Sequence, residues 1–84
     1  MDNILLALEQ ILEERKSSTG DKSYVSSLYN QGTHKILEKI SEESDEVIHA
    51  VTEEGKEQVI HEVADLWFHL LVLLRHENIK IEEV

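Results

Sequence analysis

The sequence predicts an all-α fold in which three main helices per chain form a helical bundle that is completed by dimerisation. Three segments repeat apolar residues at the three- and four-residue spacing of an amphipathic helix. The third of these segments is apolar around most of its circumference. At 84 residues the chain is expected to form a single domain, residues 1–84. It contains no cysteine, which excludes a disulfide framework and a thiolate zinc site.

The first helix is predicted to begin at Asp2 or Asn3, either of which can cap an N-terminus, and to end near Lys16. Basic residues at that end suit the negative end of the helix dipole. Its apolar residues, at helical spacing, are Ile4, Leu5, Leu8, Ile11 and Leu12. Residues 17–23 are polar and are predicted to form a loop, and residues 24–29 are compatible with one helical turn.

The second helix is predicted to begin after Gly32, with Thr33 as its N-cap. It is predicted to end in a turn around Glu54 and Gly55, where Gly55 adopts the left-handed conformation that often closes a helix. Its apolar stripe consists of Ile36, Leu37, Ile40, Val47, Ile48 and Val51.

The third helix is predicted over residues 56–76 and exposes too much apolar surface for a single small chain. Its principal apolar arc contains Val59, Ile60, Val63, Ala64, Leu66, Trp67, Leu70, Leu71, Leu73 and Leu74. A helix that is apolar nearly all round is buried on several sides, and two other helices of modest length cannot cover it. We therefore expect a homo-oligomer, most simply a twofold dimer with a shared bundle.

Two pairs of carboxylates at i, i+3 spacing are the main functional signal. Glu43 and Glu46 lie beside the apolar stripe of the second helix, and Glu62 and Asp65 lie beside that of the third. Carboxylates brought together there repel one another and are partly desolvated, which is costly unless a cation is shared. Clustered carboxylate oxygens are the ligands that Mg²⁺ prefers. The pattern therefore predicts a metal site and phosphate chemistry.

Alternative interpretations of these acids and of neighbouring residues remain open. Paired acids on a helix are commonly a solvated face, in which case the chain is a non-enzymatic helical oligomerisation module. His69, beside the third helix's acids, is more often a hydrogen-bonded core histidine than a ligand, and the other four histidines are predicted at the surface. Lys35 and Lys39 either form surface ion pairs with Glu42 and Glu46 or hold phosphate oxygens.

The charge balance narrows the classes of partner. Eighteen acidic and eight basic side chains give a net charge of −10, and no basic stripe is present. This argues against a nucleic-acid partner, whereas a phosphorylated small molecule remains compatible with bound cations. No signal peptide is recognisable, and the longest apolar run, residues 70–74, is too short to span a bilayer. A cytoplasmic protein without a membrane partner is expected.

Most of the chain, from about Leu5 onward, resembles phosphoribosyl-ATP pyrophosphohydrolase. The resemblance is carried by the stretch 62–74 (EVADLWFHLLVLL), by the ending 79–84 (IKIEEV) and by an earlier series of residues. That series is Ser23, Tyr24, Leu28, Gly32, Lys35, Lys39, Glu42, Glu43 and Glu46. Ser44 and Asp45 depart from the family's small or apolar residues, but neither removes a supposed ligand.

The acidic pairs alone are shared with the wider all-α nucleoside-triphosphate pyrophosphohydrolases, which include MazG-like and dimeric dUTPase-like enzymes. The Ser–Tyr start and the run after His69 favour the branch of histidine biosynthesis. The resemblance implies a MazG-like bundle that hydrolyses phosphoribosyl-ATP to phosphoribosyl-AMP and pyrophosphate. This is the pathway's second step, and it would require Mg²⁺, with Mn²⁺ as a possible substitute. A housekeeping pyrophosphohydrolase acting on other nucleoside triphosphates is the alternative enzyme.

The resemblance also implies a role for each matching residue. Four would ligate the metal: Glu43, Glu46, Glu62 and Asp65. Glu42 would orient a water or a second cation and is the first candidate for the catalytic base. Those expected on the substrate side are Ser23, Tyr24, Lys35 and Lys39.

Overall fold

The computed structural model describes residues 3–16 and 24–84, and helices account for most of these residues. Within these ranges the structure contains no strand, which confirms the all-α prediction. Its elements are α1 (Asn3–Lys16), α2 (Tyr24–Gln31), α3 (Thr33–Glu53), α4 (Lys56–His76) and a 3₁₀ turn (Ile81–Glu83). None of these helices is long and apolar enough to cross a membrane. The loop predicted over residues 17–23 lies outside the described residues.

The main difference from the prediction is α2, which has eight residues rather than one turn. Its sequence consists mostly of tyrosine, valine, serine and asparagine, which are weak helix formers, so packing rather than intrinsic propensity holds it in place. Leu28 is buried in the core, and the Ser26 hydroxyl donates a hydrogen bond of 3.3 Å to the carbonyl of Arg15 near the end of α1. Four helices per chain, not three, therefore surround the core in the described residues.

The two interhelical glycines have roles that differ from the prediction. Gly55 has extended backbone angles, φ −143° and ψ 179°, and precedes α4, so its assignment as a left-handed helix terminator is wrong. Gly32 instead has a positive φ of 88° where the chain passes from α2 into α3. Thr33 is the first residue of α3 rather than its cap, and its hydroxyl lies 2.9 Å from Nε2 of His76.

Replacing Gly32 by serine should lower the free energy of unfolding by about 1–3 kcal/mol, because a side chain strains this backbone conformation. A Cβ atom at Gly32 would meet no neighbour within 4 Å, so the expected loss comes from the backbone alone. Gly55→Ser is the matched control, since serine caps helices well at extended angles. Urea denaturation measures both variants. Equal stability of the two would contradict this account of Gly32.

The core is assembled from all five elements. Helices α3 and α4 form an antiparallel hairpin, against which α1, α2 and the 3₁₀ turn pack. The buried cluster consists of Leu12, Leu28, Ile36, Leu71, Val72 and Ile81. Residue Ile81 brings the end of the chain into the core, so the tail is an integral part of the fold.

A buried guanidinium joins α1, the end of α4 and the tail. Arg75 is 8% exposed, and its Nη1 donates a hydrogen bond of 2.9 Å to Oε1 of Glu13. Its Nη2 donates to the carbonyl of Ile79 and lies 3.6 Å from Oε2 of Glu9. The same Glu9 oxygen accepts a 2.6 Å hydrogen bond from the backbone N–H of Ile81. These contacts hold the tail against α1.

One face of α4 carries exposed apolar side chains. Ile60, Val63, Trp67 and Leu70 follow one another at spacings of three, four and three residues and are 58%, 41%, 53% and 40% exposed. We call these four residues the α4 stripe. The other helices of the chain leave it open, as the apolar circumference of this helix predicts.

Candidate metal centre

The hairpin of α3 and α4 brings three of the predicted ligands together. Glu43 and Glu46 on α3 and Glu62 on α4 each offer a carboxylate oxygen, and these oxygens all lie within 4.8 Å of one another. We call these three residues the acidic cluster, and the α3–α4 hairpin that carries them the acidic hairpin. Because α3 and α4 are joined by two residues, side chains at similar distances from the linker face each other. Glu46 and Glu62 are each about two helical turns from it.

Two of these carboxylates are buried without sufficient hydrogen bonds. Glu43 is 6% exposed and Glu62 is 7% exposed, and Oε2 of each is buried with no hydrogen-bond partner among the residues that the structure describes. The other oxygen of Glu62 accepts a hydrogen bond of 2.9 Å from the Gln58 amide. A buried carboxylate oxygen without a partner is costly, and a hard divalent cation removes that cost. The donor set therefore fits a cation such as Mg²⁺.

The proximity of Glu46 affects the pKa of Glu62. When one of the two carboxyls is protonated, Glu46 and Glu62 can hydrogen-bond to each other, and this is the main cause that raises the pKa of Glu62; burial raises it further. The hydrogen bond from Gln58 acts in the opposite direction. Two carboxyl groups that share a proton in this way can release it when a cation takes its place.

Asp65 joins the cluster through Glu62 rather than directly with the acids of α3. Its carboxylate forms a second group with Glu62 and His61, whose candidate ligand atoms also lie within 4.8 Å of one another. Nε2 of His61 lies 3.4 Å from Oδ2 of Asp65 and 4.0 Å from Oε1 of Glu62. His61 is exposed, which confirms its predicted surface position, but its proximity to Asp65 and Glu62 was not predicted. The i, i+4 spacing of His61 and Asp65 was the available signal.

The two lysines line the neighbouring turns of α3. Lys39 Nζ lies 3.1 Å from Oε2 of Glu42 and 4.0 Å from Oε1 of Glu43, and the hydrogen bond to Glu42 raises the pKa of Lys39. Lys35 pairs with Glu38 at 3.0 Å, so the interpretation that paired it with Glu42 or Glu46 is wrong. Lys39 therefore lies at the edge of the acidic cluster, and Lys35 lies about one turn away from it.

Tyr24 and His69 connect α2 to the acidic hairpin. The Tyr24 hydroxyl lies 2.6 Å from Nε2 of His69, and Nδ1 of His69 lies 2.8 Å from the carbonyl of Asp65. His69 is 5% exposed, which confirms a hydrogen-bonded core histidine. Burial raises the pKa of Tyr24, and Lys39 opposes this while Glu43 adds to it. Ser23, the other residue expected beside Tyr24, lies outside the described residues.

The model of the phosphoribosyl-ATP pyrophosphohydrolase family matches residues 5–84. The chain belongs to this family. It is 63% identical over 84 residues to the phosphoribosyl-ATP pyrophosphatase of Vesicomyosocius okutanii, covering all of this chain and 80% of that protein. The corresponding protein of Ruthia magnifica is 57% identical over the same shares. That of Neisseria meningitidis is 42% identical over 83 residues, which cover 99% of this chain and 78% of the relative.

Membership of the phosphoribosyl-ATP pyrophosphohydrolase family confirms the resemblance found in the sequence and identifies the chain as a hydrolase. The acidic hairpin is the feature of this fold most suited to phosphate hydrolysis, because it concentrates buried carboxylates between two helices. The roles of the individual residues in it stay predictions.

Proposed function

We propose that this chain is a cytoplasmic enzyme that hydrolyses phosphoribosyl-ATP to phosphoribosyl-AMP and pyrophosphate, the second step of histidine biosynthesis. The observation that carries the proposal is the pair of buried, unpartnered carboxylate oxygens on Glu43 and Glu62. They favour a bound cation, and a bound cation can assist phosphate hydrolysis. The relatives are named phosphoribosyl-ATP pyrophosphatases, and a pyrophosphatase hydrolyses a bond of this kind. The family match over residues 5–84 supports the substrate.

Glu43, Glu46, Glu62 and Asp65 would hold Mg²⁺, with Mn²⁺ as a possible substitute. When bound, the cation supplies positive charge that offsets the charge of the phosphates and makes nearby water more acidic. Glu43 and Glu62 would be the inner ligands of this set, because Oε2 of each is buried and accepts no hydrogen bond from the described residues. Glu46 and Asp65 are more accessible and complete the set from either side of Glu62.

Lys39 and Glu42 would act in sequence at the edge of this set. In the absence of substrate, the ammonium of Lys39 pairs with the exposed carboxylate of Glu42 at 3.1 Å. When a phosphate oxygen of the substrate pairs with Lys39, the ion pair between Lys39 and Glu42 breaks. The carboxylate of Glu42 then accepts a proton from the attacking water. The water oxygen bonds to phosphorus as the bond from phosphorus to the bridging oxygen breaks. Lys35 would add a second positive charge beside the departing pyrophosphate.

Pyrophosphate release from phosphoribosyl-ATP with Mg²⁺ tests the proposal, with dCTP, dUTP and ATP as parallel substrates. We expect turnover confined to phosphoribosyl-ATP. Turnover of only a common nucleotide would replace this function with a housekeeping pyrophosphohydrolase. No turnover of any of the four, together with no stabilisation by Mg²⁺, would favour the non-enzymatic oligomerisation module.

We further propose that the α4 stripe forms a homodimer interface. Its spacing is that of a helix-packing seam, and exposed apolar side chains in such a row are commonly covered by another chain. Shallow apolar depressions flank Trp67 and are lined by residues including Leu5, Val63 and Leu71. They provide recesses into which a second copy's side chains can pack.

Trp67→Glu should convert the dimer to a monomer, because it places a charge at the centre of the α4 stripe. Light scattering at micromolar protein measures the molar mass. Leu37→Glu is the control, since Leu37 lies on α3 with a similar exposure of 48%. A wild-type protein that is strictly monomeric would contradict the dimer.

A further inference from the structure

The hydroxyl of Tyr24 is hydrogen-bonded to His69. A backbone carbonyl only accepts hydrogen bonds, so the contact of 2.8 Å with Asp65 places the imidazole proton of His69 on Nδ1. Nε2 is then an acceptor, and the Tyr24 hydroxyl donates its hydrogen to it at 2.6 Å. A phosphate oxygen is an acceptor, so it cannot receive this hydrogen while the pair is intact. Both nitrogens of His69 are likewise occupied, which removes it as a metal ligand.

The ring of Tyr24 is what remains available. Tyr24 is 49% exposed, and its ring is perpendicular to that of His69, with 5.7 Å between the centroids and an interplanar angle of 89°. His69 is itself held by an edge-to-face contact of 5.4 Å with Phe68. In the described part of the chain, Tyr24 is therefore held at its hydroxyl while much of its side chain stays accessible at the start of α2. The two hydrogen bonds of His69 connect Tyr24 to the backbone of Asp65, which places Tyr24 beside the acidic residues of α4.

We propose that His69 is a positioning residue that holds Tyr24 so that its ring, rather than its hydroxyl, contacts the purine base of the substrate. The base contact rests on the proposed function. A nucleotide whose phosphates bind at the acidic cluster would place its base beside that cluster. Stacking on an aromatic ring binds any base, and its loss commonly weakens binding by about tenfold or more. The anchor of Tyr24 is a buried, doubly hydrogen-bonded imidazole, which holds the side chain at its hydroxyl and leaves its exposed part accessible.

Steady-state kinetics on the wild type and on variants of Tyr24 and His69 tests whether His69 acts through Tyr24. Tyr24→Leu should raise KM for phosphoribosyl-ATP about tenfold with kcat nearly unchanged, because base contact is lost. Tyr24→Phe and His69→Leu should each raise KM by about threefold, the effect of losing the anchoring hydrogen bond. The double variant should be no worse than either single one. His69→Gln, whose side-chain oxygen can accept the tyrosine hydrogen, should restore KM.

Two kinetic results would overturn the proposal. One is a rise in KM of the double variant that equals the product of the rises in His69→Leu and Tyr24→Phe. Such a rise would show that His69 acts independently of Tyr24. The other is a fall in kcat with unchanged KM in Tyr24→Leu. If the buried His69→Leu variant fails to fold, Tyr24→Phe still removes the same hydrogen bond from the exposed partner. The melting temperature and its rise with Mg²⁺ report whether each variant retains the fold and the metal site.

Calorimetry with AMP and ribose 5-phosphate separates this proposal from the proposed function. In the wild type, AMP should bind about tenfold more tightly than ribose 5-phosphate because only AMP carries a base, and Tyr24→Leu should erase the difference. Equal affinity for the two compounds in the wild type, or a preference unaffected by Tyr24→Leu, would overturn the ring contact. A Tyr24-dependent preference without pyrophosphate release would support the base contact and contradict only the assigned reaction.

Discussion

Glu62→Gln should lower turnover of phosphoribosyl-ATP by at least about 100-fold and abolish thermal stabilisation by Mg²⁺. Loss of residues that merely orient a metal's ligands commonly costs up to about 100-fold, and Glu62 is expected to be a ligand itself. The same variant should raise the melting temperature of the metal-free protein, because the amide removes a buried carboxylate that competes with Glu46 for a proton. Glu46→Gln and Asp65→Asn should also lower turnover by at least about 100-fold with folding intact.

Asp45→Asn is the matched control, since Asp45 lies on α3 between two proposed ligands but is exposed. It should preserve both turnover and the response to Mg²⁺. Scanning calorimetry with and without the cation measures the stability changes, and pyrophosphate release measures turnover. Near-normal turnover in Glu46→Gln, Glu62→Gln and Asp65→Asn would remove the metal-site assignment.

The raised pKa of Glu62 also predicts how stability depends on pH in the absence of a cation. The folded chain holds this proton to higher pH than the unfolded chain, whose glutamate titrates near 4.5. At pH values between the unfolded and the folded pKa of Glu62, the folded state therefore binds more protons than the unfolded state. The contribution of Glu62 to the free energy of unfolding falls as pH rises through that window. Stabilisation by Mg²⁺ should grow over the same window. Melting curves of wild type and Glu62→Gln across this range measure the difference, and parallel profiles would contradict it.

Arg75→Met should lower the free energy of unfolding by about 2–4 kcal/mol. Removing one partner of a buried ion pair commonly costs about 3–5 kcal/mol, and the partial exposure of Glu13 reduces that figure. The loss has three parts, since Arg75 contacts Glu9, Glu13 and the carbonyl of Ile79. Methionine preserves much of the side-chain volume, so the expected effect comes from polar contacts.

Urea denaturation at neutral pH measures this change, with Lys56→Met as a control for loss of one positive charge on the exposed start of the same helix. A loss below about 1 kcal/mol in Arg75→Met would indicate that the contacts of Arg75 contribute no more than a surface ion pair does.

Helical periodicity was sufficient to predict the elements that bury a continuous stripe. The end of α1 at Lys16 and the span of α4, Lys56–His76, match the sequence prediction. The acidic pairs were found for the same reason, because positions at the edge of a stripe on two consecutive helices must face each other in a hairpin. Glu43 and Glu62 are buried there, as boundary positions imply.

Features set by tertiary contacts were not predictable from periodicity. The extent of α2 depends on Leu28 entering a core formed by other helices. The backbone of Gly32 and Gly55 depends on the direction in which the next helix leaves, and both glycines precede a helix. Arg75 has no pattern that marks it as buried, because its partners Glu9 and Glu13 lie more than sixty residues earlier in the chain.

The short connection between α3 and α4 has a kinetic consequence. All the proposed ligands lie between Glu43 and Asp65, and closing the two-residue linker at Glu54 and Gly55 loses little chain entropy. Local contacts of this kind form early, so we expect the acidic hairpin to be largely formed in the transition state for folding. Docking of α1 and the tail through Arg75 would follow. Arg75→Met should then accelerate unfolding while leaving the folding rate almost unchanged.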